Sequence, residues 1–232
     1  MKILVIDDEK PTLSMFNLFL TAYGYEVFTA EDGEKGLAVF KEVAPDMVFT
    51  DIRMPGIDGL EVLRRIRKMD TDTQVIIITG HGDMEKAVEA LDLDASDFIN
   101  KPVERQALNS ALARAEKRRA MPRRMPFEFS VVKNTGFITA TLKGKLSGEN
   151  EADIQAALDR VMDPDVTRVS LTADDTFSIT RSGIAALMAV IRDLQRKQAA
   201  VAIENLSYNY ARVFRMAGID KLADLIEEVL PD

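Results

Sequence analysis

At 232 residues, with 47% hydrophobic content, 29% charged residues and a net charge of −8, the chain is long enough for two domains of ordinary size. It holds no cysteine and one histidine, which excludes thiol nucleophiles, disulfides, thiolate metal centres and multi-histidine sites, so a bound metal has to sit on carboxylates. The acidic balance disfavours nonspecific attraction to nucleic acid or anionic membrane, and apolar runs such as residues 75–78 are too short to cross a bilayer.

The chain opens on the strand-like Lys2-Ile3-Leu4-Val5-Ile6 with no cleavable apolar segment, which predicts a cytoplasmic protein. Continuous apolar runs at 3–6, 47–49 and 75–78 alternate with helical segments, the pattern of parallel strands covered on both faces. Apolar stripes at Leu60, Leu63 and Ile66, and at Leu108, Ala111, Leu112 and Ala115, mark helices packed on that sheet. The fold expected for residues 1–118 is therefore α/β, a flavodoxin-like doubly wound sheet of five strands in the order 2-1-3-4-5.

Arginines 118, 119, 123 and 124 lead into Pro122 and Pro126, which oppose helix continuation. Residues 119–126 read as a linker whose arginines form a basic helix end and a solvated segment. Beyond it, two short strands flank Asn134-Thr135-Gly136 as a β-hairpin, with Ile138, Ala140 and Leu142 turned inward. Helical stripes follow at Ile154, Ala157, Leu158, Val161 and Met162, at Ile184, Leu187, Met188 and Ile191, and at Tyr210, Val213, Phe214 and Ala217. Short apolar strands lie between them near 166–171 and 199–203. Residues 127–232 are thus predicted to form a smaller α/β domain with a mixed sheet.

In an open parallel sheet, functional groups gather at the carboxyl ends of the strands. Those positions carry Asp7 and Asp8 after strand one, Asp51 at strand three, Thr79 at strand four and Lys101 after strand five. Strands one and three are neighbours in this order, so three carboxylates meet at one edge and require neutralisation. A hard divalent ion such as Mg²⁺ suits these ligands and leaves places for phosphate oxygens. The chemistry implied is phosphoryl transfer onto a carboxylate. Asp51, which ends the central strand, is the candidate phosphoacceptor, with Asp7 and Asp8 as metal anchors. Lys101 can pair a phosphate oxygen and the Thr79 hydroxyl can donate to it. Taken singly, Asp7 and Asp58 could be helix caps and Lys101 a surface lysine; their joint order is what those readings leave unexplained.

Residues 1–120 resemble the receiver domain of bacterial response regulators. The resemblance rests on Asp7-Asp8-Glu9, on Asp51-Ile52-Arg53-Met54-Pro55-Gly56-Ile57-Asp58-Gly59, on Thr79-Gly80-His81-Gly82-Asp83 and on Lys101-Pro102. It implies Mg²⁺ held by the side chains of Asp8 and Asp51 and the backbone carbonyl of Arg53, with Asp7 assisting through water, and a cis Lys101-Pro102 bond. Phe98 resembles the aromatic switch position coupled to Thr79, a buried core role being the alternative. His81 has no second histidine to support a phosphorelay or metal role. Nothing in the chain resembles a kinase, so an external sensor histidine kinase or phosphotransfer protein is implied. The family's output face, between the fourth helix and the fifth, also leaves room for a homodimer that forms on phosphorylation.

Residues 127–232 resemble the STAS domain of anti-sigma-factor antagonists, a four-helix, mixed-sheet protein-binding fold, through the opening hairpin, Ile179-Thr180-Arg181-Ser182-Gly183 and Phe214-Arg215-Met216-Ala217-Gly218-Ile219-Asp220-Lys221. In that family the turn carries a serine that a partner kinase phosphorylates. Arg181 stands at that serine's position among Thr180, Arg181, Ser182 and Gly183, while Thr180 and Ser182 can cap the helix starting near Gly183. The reading that follows is a response regulator, not an enzyme, that acts by partner switching on an anti-sigma factor of the serine-kinase type. A transcription factor would need a helix-turn-helix, which the second half does not show. A magnesium phosphatase would need an acid two residues after Asp51, where Arg53 stands.

Overall fold

A computed structural model describes residues 1–70, 72–80, 84–121 and 125–228, with the backbone alone at Met84. His81, Gly82 and Asp83 of the fourth-strand motif, and Pro122, Arg123 and Arg124, lie outside the described residues. The chain divides into two compact units, residues 1–123 and 124–232.

The first unit alternates β1 (Lys2–Ile6), α1 (Lys10–Ala22), β2 (Glu26–Ala30), α2 (Gly33–Val43), β3 (Met47–Asp51), α3 (Gly59–Met69), β4 (Gln74–Thr79), α4 (Met84–Asp92), β5 (Asp97–Asn100) and α5 (Arg105–Arg119). Its five strands pair in parallel in the order β2-β1-β3-β4-β5, as the continuous apolar runs predict. Every residue of β3 and β4 is buried, because helices cover both faces of the sheet. The predicted stripes Leu60, Leu63 and Ile66 on α3 and Leu108, Ala111, Leu112 and Ala115 on α5 are all core.

Two local devices fix the position of α3. The Asp58 side chain caps it by accepting the Glu61 N–H at 2.9 Å. Gly59 lets the helix start press on the end of β3, since a Cβ there would lie 2.1 Å from the Asp51 carbonyl oxygen. At the opposite edge of the sheet, Asp46 accepts the backbone N–H of Lys2 at 2.8 Å and pairs with the Arg119 guanidinium in the last turn of α5.

The second unit comprises β6 (Glu128–Asn134), β7 (Phe137–Lys143), β8 (Lys145–Leu146), a 3₁₀ turn at Gly148–Asn150, α6 (Glu151–Asp159), β9 (Arg168–Ala173), β10 (Ser178–Ile179), α7 (Arg181–Arg196), β11 (Ala200–Leu206), α8 (Tyr208–Met216), a 3₁₀ turn at Ile219–Lys221 and β12 (Asp224–Glu227). The main sheet runs β12-β11-β9-β7-β6. It is mixed, with β6 and β7 an antiparallel hairpin and the remaining pairs parallel. Ile138, Ala140 and Leu142 point inward as predicted and are buried, as are Ile184, Leu187 and Ile191 of α7 and Tyr210 and Phe214 of α8.

Three expectations are corrected here. The described residues of this unit form three α-helices and two 3₁₀ turns rather than four helices. Helix α6 stops at Asp159, leaving Val161 and Met162 half-buried beyond it; Pro164 biases the chain just before it toward extended backbone. Helix α7 starts at Arg181, two residues before Gly183, so Ser182 lies inside the first turn and Thr180 alone is the cap, accepting the Gly183 N–H at 3.0 Å.

Gly183 is where α7 lies against β8, because a Cβ there would sit 2.3 Å from the Leu146 carbonyl oxygen. Backbone cannot yield as a side-chain tip does, so Gly183→Ala is expected to destabilise the second unit by about 1–3 kcal/mol. Urea unfolding followed by far-UV circular dichroism checks this.

Candidate functional site

The last residues of β3 and β4 and the loops leaving β1 and β5 bring Asp51, Thr79, Asp7, Asp8 and Lys101 to one edge of the first sheet. One carboxylate oxygen each from Asp7, Asp8 and Asp51 lies within 4.8 Å of the others. Asp7 is fully buried, Asp51 is 5% exposed and Asp8 faces solvent.

The backbone holds two of these acids in place. Asp7 Oδ1 accepts the Glu9 N–H at 2.8 Å, and Asp51 Oδ1 accepts the Arg53 N–H at 3.3 Å. The Lys101 ammonium reaches Asp51 Oδ2 at 2.7 Å, Glu9 Oε2 at 3.0 Å and Asp7 Oδ2 at 3.0 Å. The last contact is an ion pair without hydrogen-bond alignment, so Asp7 Oδ2 remains a buried acceptor with no hydrogen bond. A buried acceptor in this state, beside two further carboxylates, fits a hard divalent cation.

Electrostatics follow from this packing. Burial pushes the Asp7 carboxyl above the ordinary carboxylate range, against the lowering pull of the Glu9 N–H and Lys101. Glu9 is held below its ordinary value, chiefly by its bond to Lys101 and then by Thr12. Burial works against the Lys101 ammonium, but Asp51, Asp7 and Glu9 together raise it above the usual lysine range.

Thr79 ends β4 and is 1% exposed. Its Oγ1 lies 3.2 Å from Asn100 Oδ1 and 3.3 Å from the Gly80 carbonyl oxygen; a hydroxyl has one proton, so it donates to one of them at a time. The Lys101 N–H donates to the Thr79 carbonyl at 2.7 Å, and the Lys101-Pro102 bond is cis. Phe98 is buried in β5 beside Ile77.

Two residues of the site escape a residue-by-residue reading. Glu9 belongs to the acidic run after β1, yet its contact with Lys101 spans 92 positions. Asn100 precedes Lys101, and its bond to Thr79 depends on the pairing of β4 with β5.

In the second unit, Thr180, Arg181, Ser182 and Gly183 form the start of α7. Thr180 Oγ1 and Ser182 Oγ are 3.0 Å apart, and Ser182 Oγ accepts the Gly148 N–H at 3.0 Å. Arg181 is exposed.

The family model of the response regulator receiver domain matches residues 3–113, and that of the STAS domain matches residues 128–230. Among curated proteins, the regulatory protein AtoC of Escherichia coli is 37% identical over 120 residues, 52% of this chain and 26% of that protein. The transcriptional regulatory protein FixJ of Rhizobium meliloti is 37% identical over 113 residues, 49% of this chain and 55% of FixJ. The match therefore spans between a quarter and about half of these relatives. A crystal structure of a response regulator receiver domain protein from Clostridium thermocellum is 40% identical, with a TM-score of 0.50, over 51% of this chain and 96% of its own. This chain belongs to the response regulators, with a receiver domain followed by a STAS domain.

Proposed function

We propose that Asp51 accepts a phosphoryl group from a sensor histidine kinase or phosphotransfer protein, and that the STAS domain passes this state to a protein partner by partner switching. The observation that carries the reading is the Lys101 ammonium lying 2.7 Å from Asp51 Oδ2 beside the carboxylate cluster. Such an arrangement places a cation where charge develops on a transferring phosphoryl group.

The transfer balances simply. An oxygen of Asp51 forms the new bond to phosphorus while the bond to the donor breaks, its electron pair leaving with the donor. An ionised carboxylate needs no general base. Lys101 then pairs a phosphoryl oxygen, and the Thr79 hydroxyl turns from Asn100 to donate to another, with Phe98 on the neighbouring strand β5 following. Asp8, Asp51 and the Arg53 carbonyl, with Asp7 through water, are the groups that would hold Mg²⁺, which supplies charge neutralisation at the phosphoryl oxygens.

Arg181 occupies the position of the serine that a partner kinase phosphorylates in STAS domains of partner-switching proteins, so on this reading the control of binding passes to Asp51. The partner chemistry is that of an anti-sigma factor of the serine-kinase type. Residues 120–126, which follow the last residue of α5, serve as the linker between receiver and output.

The test is a pull-down with the full chain, with and without beryllofluoride and Mg²⁺ as a phosphoryl mimic. A captured protein is expected to change affinity at least about tenfold with the mimic, about 1.4 kcal/mol, and to lose that dependence in Asp51→Ala. Equal affinity in both states would sink the coupling. A DNA duplex shifted at physiological salt, with no protein captured, would favour a DNA-binding output.

A further inference from the structure

Glu9 occupies the N-cap position of α1, yet its side chain makes no capping hydrogen bond. Instead its Oε2 takes two bonds, one from the Thr12 hydroxyl at 3.0 Å and one from the Lys101 ammonium at 3.0 Å. The residue's backbone N–H meanwhile holds Asp7 Oδ1 at 2.8 Å. The Glu9 side chain is 59% exposed whereas that of Asp51 is 8% exposed, so Glu9 lies on the solvent side of the lysine they share.

We propose that Glu9 is a positioning residue that acts through Lys101, an internal competitor for the ammonium that an incoming phosphoryl group has to displace. The inference rests on Asp51 being the phosphoacceptor, and deepens it by naming what sets the rate of charging. A phosphoryl oxygen and the Glu9 carboxylate are both anionic hydrogen-bond acceptors, and a lysine ammonium has three donors. In the resting pocket Asp51, Asp7 and Glu9 surround that ammonium. The ammonium's hydrogen bonds go to Asp51 and Glu9, so a phosphoryl oxygen carried on Asp51 competes with Glu9 for it. Asp7 is held by the backbone and fully buried, so the exposed Glu9 is the group that yields. Until it yields, its charge also repels any anionic donor approaching from solvent.

The experiment uses the full chain, Mg²⁺ and acetyl phosphate as a small anionic donor. Asp51 forms a bond to phosphorus as the donor's P–O bond breaks and acetate leaves with the electron pair. Labelling is read as the intact-mass gain of one phosphoryl group. Glu9→Gln is expected to label about three- to tenfold faster than wild type, the worth of one charge at this range in partly solvated surroundings. The gain should reside in the donor concentration needed, a lower KM, with the maximal rate changing less. It should shrink toward unity at about 1 M salt, where screening acts within a few ångströms; a packing role would not respond to salt. A labelled wild type with Glu9→Gln no faster overturns this proposal alone. Wild type and variant both unlabelled overturn the phosphoacceptor reading and this proposal with it.

Discussion

Asp51→Asn is expected to abolish phosphorylation by any donor, with no labelled chain above background after a time that labels wild type fully. The amide has nearly the shape of the carboxylate, and the site is 5% exposed and tightly packed, so the variant should fold. On the proposed reading it loses the anionic oxygen that would attack phosphorus, and with it the charge that Lys101 pairs at 2.7 Å. The neutral amide nitrogen cannot replace it, because its lone pair is delocalised into the carbonyl. Lys101 keeps Asp7 and Glu9 as partners, so the ammonium is not stranded. Intact mass together with acid and base lability of the adduct is the measurement. An acyl phosphate formed as fast in Asp51→Asn as in wild type, for instance on exposed Asp8, would remove Asp51 from its role.

Asp7→Asn is expected to raise the stability of the receiver at neutral pH by about 1–2 kcal/mol while weakening its response to Mg²⁺. Asp7 is fully buried, and burial raises its pKa above the value of 3.8 it has when solvated. A carboxyl raised in the folded state contributes stability below its unfolded pKa, and that contribution is lost as pH rises through the folded pKa. At pH 7 wild type therefore carries a buried charge that the amide lacks. The gain should vanish below pH about 3.8, where wild type is neutral as well. Because a ligand stabilises the state that binds it, added Mg²⁺ should raise the unfolding midpoint of wild type more than that of the variant. Urea unfolding at several pH values, with and without Mg²⁺, checks both signs. A variant less stable than wild type at pH 7 would show that the Asp7–Lys101 pair outweighs the cost of burial.

Much of the first unit is legible in the sequence because parallel strands buried on both faces appear as unbroken apolar runs, and the residue that follows each run falls at the sheet edge where Asp7, Asp51, Thr79 and Lys101 meet. What connects those residues is less legible. The Glu9 contact with Lys101 depends on which way an exposed side chain turns, and strand periodicity carries no information about that. In the second unit the hairpin and the stripes of α7 and α8 are long enough to show their periods. Strands β8 and β10 have two residues each and β12 has four, too few for a pattern; they exist through pairing with residues distant in sequence. Ser182 reads as a helix cap from its neighbours alone, and only the approach of Gly148, 34 positions away, reveals its other partner.

The pairing of Arg119 with Asp46 bears on how such proteins can be recombined. The family model ends at residue 113, yet the last turn of α5 is tied to the base of the sheet through an acid that also holds the start of β1. A chimera that joined a foreign output module at residue 113 would discard Arg119 and leave Asp46, whose side chain is 22% exposed, without its cation. A splice after Met121 keeps the receiver whole, so the graft point for exchanging outputs lies beyond the end of the recognised motif.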